Sequence, residues 1–180
     1  MQIIGITGTL GAGKGTIVDY LVKNIGFKHY SVRQFLIEEI EKRGLPVNRD
    51  SMTQVANELR AANTPYYIVA ELYKQALKSG KDAVIESIRT PGEVEFLQQQ
   101  GNFFLIAVDA DPKTRFDRIK IRKSATDQID FDTFLANEKR EMTTEDPNKQ
   151  NLQKCIQMAD ITLHNDGSID ELIQQLEEKR

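Results

Sequence analysis

Residues 3–16 read IIGITGTLGAGKGT, so an apolar run passes directly into a loop that contains four glycines and one lysine. The run predicts a buried strand, and the residues from Thr16 onward have the apolar spacing of a helix. Glycines let successive backbone N–H groups turn inward around a polyphosphate, while Lys14 adds a positive charge and the helix N-terminus adds its dipole. The stretch therefore predicts a phosphate-binding P-loop rather than a plain glycine-rich turn.

One position of the loop departs from the usual pattern. That pattern is G-x-x-x-x-G-K followed by Ser or Thr, whereas this chain places Gly15 between Lys14 and Thr16. The Gly-Lys-Gly-Thr form resembles the loop of adenylate kinase and other nucleoside monophosphate kinases. This resemblance implies that Thr16 contacts a nucleotide phosphate. The residues expected to hold ATP here are Gly8, Gly11, Ala12, Gly13, Lys14, Gly15 and Thr16.

Composition narrows the class of protein. A chain of 180 residues with a net charge of −3 fits one compact domain, and it lacks the basic excess of a general nucleic-acid binder. It has no apolar run long enough to cross a bilayer and no leader before the first strand. The only cysteine, Cys155, excludes an intramolecular disulfide and suits a reducing compartment. We expect a cytoplasmic protein that binds neither nucleic acid nor membrane.

Short apolar runs alternate with helical patterns along the chain. The predicted strands are residues 3–7, 83–85, 103–108 and 161–164, with a weaker fifth at 27–30. Capping residues at Thr90, Asp111 and Ser168 mark helix starts. Such alternation requires crossover connections and therefore a mainly parallel sheet with helices on both faces. We expect an α/β fold of the P-loop NTPase type, with three α/β/α layers and five strands, in one domain over residues 1–180.

Ligands of open parallel sheets bind beyond the carboxyl ends of the strands, so the residues after the 83–85 strand are candidates. Glu86 ends that run, and we expect it to position Mg²⁺ through water, with Asp109 as the alternative acid. A solvated carboxylate at a strand end would give the same pattern. Arg89 follows, where a guanidinium can bind a phosphate bidentately. The stretch VIESIRT, residues 84–90, resembles DGFPRT of adenylate kinase, which implies that Arg89 holds the acceptor.

A basic stripe follows the 103–108 strand. Residues 115–122 read RFDRIKIR, which places three arginines on one helical face. A solvated helix face is one interpretation. The stripe also resembles the helix that leads into the lid of adenylate kinase, which implies a short lid over about 122–140. Arg118 and Arg122 would then clamp the ATP phosphates as the lid closes.

Residues 31–80 form a segment longer than a simple crossover needs, with helical patterns at 33–43, 52–60 and 67–77. This length predicts an acceptor-binding insertion, in which Arg33 and Arg60 are candidate ligands. For both arginines a charge on a helix surface is the open alternative. The histidines, His29 and His164, lack a nucleophile or carboxylate at an informative spacing, so we interpret them as structural.

Residues 159–172 resemble the end of dephospho-CoA kinase, where Ala-Asp, a strand and Asn-x-Gly precede the last helix. Monophosphate kinases place the adenine of ATP beside this loop. The resemblance therefore implies contacts to the base from Asn165 and Gly167. A strand-to-helix turn capped by Ser168 is the alternative interpretation.

Taken over the whole chain, the resemblance to adenylate-kinase-related proteins of archaeal type implies a kinase. It would move the γ-phosphoryl group of Mg-ATP to a small phosphorylated acceptor, a nucleoside monophosphate. One alternative is dephospho-CoA kinase or another small-molecule kinase on the same scaffold. A nucleotide-dependent switch or ATPase that regulates a partner is an alternative of a different class. The acceptor and the oligomeric state stay open, and no permanent metal site is expected.

Overall fold

The computed structural model describes residues 1–123 and 128–180. Within these residues a fully parallel five-stranded sheet has the strand order β2-β3-β1-β4-β5. The strands are β1 (Ile3–Gly8), β2 (Lys28–Ser31), β3 (Ala83–Glu86), β4 (Phe103–Asp109) and β5 (Ile161–His164). The structure confirms the α/β class and the five predicted strands. The weakest of them begins and ends one residue later than predicted.

Helices connect the strands and pack on the sheet. They are α1 (Lys14–Tyr20), which continues into a π-helical turn at Leu21–Ile25, α2 (Val32–Lys42), α3 (Arg49–Ala62), α4 (Tyr67–Ser79), α5 (Pro91–Gln99), α6 (Pro112–Arg122), α7 (Phe131–Met142), α8 (Leu152–Gln157) and α9 (Ile169–Lys179). The three helix starts predicted from capping residues are confirmed at α5, α6 and α9. Helix α3 begins three residues before the predicted pattern because Asn48 and Ser51 form a capping box at its N-terminus.

Two apolar layers sandwich the sheet, since parallel strands are covered on both faces. One layer holds Ile3 and Ile85 of the sheet against α2, α3, α4, α5 and α8. The other layer holds Ile4 and Ile6 against α1 and α9. Cys155 is buried in the first layer, and burial raises the pKa of its thiol. The cysteine is therefore a small core residue.

The register of β1 fixes which residues meet at the carboxyl edge. Ile6 lies opposite Glu86 of β3, and Gly8 lies opposite Val108 of β4. The Thr7 hydroxyl donates to the Ile88 carbonyl at 2.7 Å, and the Ile88 amide donates to the Ile6 carbonyl at 3.2 Å. The turn after β3 is thus bonded directly to the strand that leads into the P-loop.

The segment predicted as a lid, approximately residues 122–140, begins at the last residue of α6 and includes most of α7. Helices α6 and α7 pack through a small aromatic cluster, in which Phe116 of α6 contacts Phe131 and Phe134 of α7 at ring-centroid distances of 5.1 and 5.6 Å. Residues 124–127 of the predicted lid lie outside the described residues. Across the described part of the chain, no helix combines the length and apolarity needed to cross a bilayer.

Two glycine substitutions test which glycine the fold requires and which glycine only lines the cavity. A Cβ at Gly8, whose φ is +133°, would lie 2.0 Å from the Val108 carbonyl oxygen, while a Cβ at Gly15 meets no atom within 4 Å. Gly8→Ala should lower the free energy of unfolding by about 2–4 kcal/mol, because both the contact and the backbone are strained. Gly15→Ala should leave it unchanged or raise it by up to about 1 kcal/mol, because alanine favours the helix. Urea unfolding of both variants measures the change in the free energy of unfolding. An equal decrease in the two variants would contradict the conclusion that the fold requires a glycine at position 8 but not at position 15.

Candidate active site

The carboxyl edge of the sheet opens into a cavity of about 450 Å³. Its wall combines the loop after β1, one face of α2 and of α3, the turn after β3 and the ends of α6 and α7. The predicted site residues that line it are Gly11, Gly13, Lys14, Gly15, Thr16, Arg33, Arg60, Glu86, Arg89, Arg118 and Arg122. The structure therefore brings the proposed donor residues and the proposed acceptor residues to one cavity.

Four predicted residues lie outside that wall: Gly8, Ala12, Asn165 and Gly167. Gly8 packs on β4, and Ala12 is fully buried under the loop. The Asn165 side chain donates to the Ala12 carbonyl at 2.9 Å, so it supports the loop from behind. Gly167 lies in the exposed turn before α9, where a Cβ would meet the Glu171 carboxylate at 1.9 Å. A glycine is therefore needed at this position because of the cap of α9, and not because of the cavity.

The N-terminus of α1 points an uncapped helix end toward the cavity. Gly13 is the N-cap residue and provides no side-chain hydrogen bond, and the first turn has no acidic residue. The first N–H groups of a helix need acceptors, and a phosphate group can provide them. Gly15 lies in this turn with open space around its Cα. The end of the helix thus has the geometry of an anion site.

Lys14 is folded back onto the loop. Its Nζ donates to the carbonyl oxygens of Gly8 at 3.0 Å and Thr9 at 2.7 Å. Burial lowers its pKa to about 7, and the positive charges of Arg89 and Arg49 act in the same direction. The carboxylates of Glu86 and Glu141 offset part of this effect. A ligand that brings negative charge to the loop would raise this pKa again.

Glu86 lies at the end of β3, next to a backbone that turns sharply into the cavity. Ser87 has a φ of +65°, a left-handed conformation that reverses the chain between the acid and Arg89. One oxygen of Glu86 lies 3.0 Å from His29 Nε2 on β2. Burial alone would raise the pKa of Glu86, but the hydrogen bond and charge of His29, with help from Ser31 and Lys14, hold it below its usual value.

Asp109, the alternative acid, has a different environment. Its Oδ1 accepts hydrogen bonds from the Thr9 hydroxyl at 2.7 Å and from the Ala110 amide at 2.9 Å. It is not among the residues that line the cavity. These contacts tie the P-loop to β4, whereas Glu86 faces the cavity beside Lys14.

Arg89 lies at the centre of a group of charges that sequence reasoning only partly found. Its Nη1 donates to Glu141 Oε2 at 2.9 Å and to Gln150 Oε1 at 3.1 Å. The same Glu141 oxygen accepts from Arg49 Nη2 at 2.6 Å. Arg49, Glu141 and Gln150 all line the cavity. This cluster joins the N-terminus of α3, the turn after β3 and the last turn of α7.

Arg60 is buried rather than exposed. Its Nε and Nη2 donate to Glu93 Oε1 at 3.3 and 2.9 Å, while Nη1 has no hydrogen-bond partner among the described residues. The other oxygen of Glu93 accepts from the backbone amides of Arg89 and Thr90. Glu93 therefore fixes Arg60 and the Arg89 backbone together. Arg33 lies in the first turn of α2 and lines the same cavity.

The basic stripe of α6 divides into two kinds of arginine. Arg115 is buried, and it donates to the carbonyls of Ala110 and Leu10 and pairs with Glu138 at 2.6 Å. Arg118 and Arg122 line the cavity, and Arg118 Nη2 donates to the Asn165 carbonyl at 2.6 Å. The arginines of the stripe therefore do not all face solvent, and they do not all face the cavity.

Four residues at or beside the cavity were not predicted from the sequence, although two of them had a recognisable signal. Arg49 precedes Arg60 by eleven residues, about three helical turns, so both lie on one face of α3. Recognising Asn48 as a cap would have placed Arg49 in that helix. His29 lies on β2, which pairs with the strand that carries Glu86, so adjacency in the sheet was its only signal. Glu141 and Gln150 had none, because their positions depend on the path of the chain after α7.

Comparison with known proteins agrees with this geometry. Residues 4–146 match the protein family described as "AAA domain". A UPF0200 protein of Methanococcus vannielii is 31% identical over 98% of this chain and 93% of its own length. A UPF0200 protein of Pyrobaculum aerophilum is 30% identical, again over 98% of this chain and 95% of its own length.

Solved structures of low identity share the fold. A shikimate kinase from Bacteroides thetaiotaomicron has a TM-score of 0.63 at 15% identity, covering 98% of this chain and 97% of that one. A gluconokinase from Sinorhizobium meliloti has a TM-score of 0.62 at 12% identity, covering 99% and 90%. The fold is therefore that of P-loop kinases.

The division of the basic stripe can be tested by two alanine substitutions. Arg115→Ala should lower the free energy of unfolding by about 3 kcal/mol, because it removes the partner of Glu138 and the hydrogen bonds to the carbonyls of Ala110 and Leu10. Arg118→Ala should lower it by less than about 1 kcal/mol, because that side chain makes one hydrogen bond to protein and its buried Nη1 makes none among the described residues. Urea unfolding of both variants provides the measurement. A larger loss for Arg118→Ala would contradict the division.

Proposed function

We propose that this chain, which belongs to the UPF0200 family and to the AAA-domain family, transfers the γ-phosphoryl group of Mg-ATP to a nucleoside monophosphate. One observation carries the proposal. The P-loop lines a cavity of about 450 Å³. The same cavity is lined by a group of arginines that lie outside the P-loop sequence. Phosphoryl transfer requires a donor and an acceptor in line, and the cavity offers cationic binding groups at both ends.

The charge of the cavity supports two anionic ligands rather than one. Of the described residues that line it, seven are basic: Lys14, Arg33, Arg49, Arg60, Arg89, Arg118 and Arg122. Two are acidic, Glu86 and Glu141. The protein as a whole has a net charge of −3, so this cationic excess is local. A cavity of one sign attracts and concentrates ligands of the other sign.

The proposed roles follow from position. Lys14 stabilises the migrating phosphoryl group, while Arg118 and Arg122 neutralise the charge that develops on the donor. Arg89, with Arg33 and Arg60, binds the phosphate of the acceptor. The backbone near Asn165 and Gly167 lies beside the adenine. Residues 31–80 provide the acceptor wall through α2 and α3, and the segment at about 122–140 closes over the ligands and excludes water.

The cavity also fits a magnesium ion. Mg²⁺ is held in such sites by one or two carboxylates, a hydroxyl or water, and the phosphates of the substrate. Glu86 and Thr16 provide an acid and a hydroxyl on the wall beside the P-loop. The ion, when bound, neutralises charge on the phosphate oxygens. We assign this role to Glu86 rather than Asp109, because Glu86 lines the cavity beside Lys14, whereas Asp109 bonds the Thr9 hydroxyl and does not line it.

Phosphoryl transfer is the direct test of this proposal. Mg-ATP would be incubated with a panel of ribo- and deoxyribonucleoside monophosphates and with dephospho-CoA, and products followed by chromatography. Lys14→Ala should reduce transfer at least about 100-fold, because it removes the charge at the migrating group. Lys113→Ala, which changes an exposed lysine of α6 outside the cavity, should retain full activity.

Each other outcome of this assay has a defined meaning. Transfer to dephospho-CoA alone would move the assignment to that kinase class. Tight ATP binding without any product would favour the nucleotide-dependent switch. Undiminished transfer by Lys14→Ala would reject the mechanism.

The pKa of Lys14 predicts proton uptake when ATP binds. With a pKa of about 7 the free amine is mostly neutral at pH 8, and the bound phosphates should return the pKa toward its ordinary value of 10.5. ATP binding at pH 8 should therefore take up close to one proton, roughly 0.9 by the titration equilibrium. Calorimetry in two buffers of different ionisation enthalpy measures this number. The uptake should vanish in Lys14→Ala, and an equal uptake in both proteins would show that another group titrates.

A further inference from the structure

Glu141 holds an unusual place for an acid in a cationic cavity. Its side chain is 3% exposed, and a single oxygen, Oε2, accepts from Arg49 Nη2 at 2.6 Å and from Arg89 Nη1 at 2.9 Å. Two guanidinium groups from different elements that converge on one oxygen form the geometry of an oxyanion site. In this structure the Glu141 carboxylate is the anion that the two guanidinium groups bind.

Arg49 has a donor that this carboxylate does not satisfy. Its Nε is buried and has no hydrogen-bond partner among the described residues, although Nη2 of the same guanidinium is bonded. Nε and Nη2 together form the edge of a guanidinium that binds phosphate bidentately. Leaving a buried donor unsatisfied is unfavourable, so the site favours a ligand with more oxygens. A phosphate group has enough oxygens to bond both nitrogens of Arg49 and also Arg89.

Arg89 does not depend on Glu141 for its position. Its side chain also donates to Gln150, its backbone amide donates to Glu93, and its carbonyl accepts from the Asn151 amide at 2.8 Å. Arg49 is held at the first position of α3 by the Asn48 capping box. If the carboxylate moved away, the Arg89 guanidinium would keep Gln150 as a partner and the backbone of Arg49 would stay fixed by the cap.

We propose that Arg49 and Arg89 form the binding site for the phosphate monoester of the acceptor, and that Glu141 occupies this site until the acceptor displaces it. The inference rests on the proposed function for the identity of the ligand. It adds Arg49 as a phosphate ligand and makes Glu141 an internal competitor.

Charge explains why a phosphate monoester would win this competition. Lys14, Arg49 and Arg89 repel one another across the cavity, and the carboxylates of Glu86 and Glu141 offset only part of that repulsion. A phosphate monoester brings close to two negative charges, whereas an acceptor carboxylate would replace one charge with another. Glu141 therefore selects for phosphorylated acceptors against carboxylic acids.

Calorimetric titration with inorganic phosphate tests the inference in the whole protein. Glu141→Gln keeps the shape of the side chain and removes its charge, so phosphate should bind at least about tenfold more tightly. Glu138→Gln is the matched control, because Glu138 lies on the same helix and also pairs with a buried arginine, but outside this cavity. It should change phosphate affinity by less than about twofold. Phosphate bound at the P-loop is recognised by its persistence in Arg49→Ala, which should abolish only the tightened binding.

The phosphate titration tests the inference about Glu141 independently of the phosphoryl-transfer assay. Unchanged or weaker binding by Glu141→Gln would overturn the inference, since it would mean that Glu141 holds the arginines for the ligand. Tight binding that survives Arg49→Ala would overturn it too. If Glu141→Gln fails to fold, Glu141→Asp, which is too short to reach both arginines, should show the same tightening, and its absence would reject the inference. Tightened phosphate binding without nucleotide phosphorylation would support the oxyanion site while rejecting the proposed function.

Discussion

The pairing of β1 with β3 on one side and β4 on the other is the constraint on which the site depends. Because the three strands are parallel and in register, their carboxyl ends stop within a few residues of one another. The P-loop leaves from β1, Glu86 and Arg89 follow β3, and Asp109 ends β4 and bonds to the P-loop. The Ile88 hydrogen bonds to β1 then hold the turn after β3 against that loop. Hydrogen bonds between strands thus set the distances between charges that are far apart in sequence.

Concentrating cations at one edge creates repulsion, and a few buried or partly buried carboxylates offset it. Glu93 accepts from Arg60 and from two backbone amides, Glu138 pairs with Arg115, and Glu141 bridges Arg49 and Arg89. Glu138 serves mainly the fold, because its partner Arg115 also bonds two backbone carbonyls, and Glu93 fixes the backbone amides of Arg89 and Thr90 as well as Arg60. Glu141 differs, since both of its partners line the cavity. Burial lowers the pKa of Lys14 to about 7, and the charges of Arg89 and Arg49 act in the same direction.

Local patterns in the sequence were enough for the sheet and for the P-loop. Residues 3–16 determine a strand, a loop and a helix start among themselves, and Arg89 could be found because it follows a strand directly. Arg115 could not be separated from Arg118 and Arg122, since spacing reports the face of a helix but not which turn of it is buried. Arg49 needed the cap at Asn48, and Glu141 needed the route of the chain after α7. Glu141 and Gln150 had no local signal, because their neighbours are set by tertiary packing alone.

The link between Asn165 and Ala12 joins residues 153 positions apart. The Asn165 side chain supports the carbonyl beneath the P-loop, and its own carbonyl holds Arg118. A ribosome makes the P-loop first, yet the support of that loop emerges only when the last strand has been synthesised. Until then the nascent chain has the residues of a phosphate site without the scaffold that shapes it. The hydrogen bond that supports the P-loop from behind can therefore form only after β5 has been synthesised.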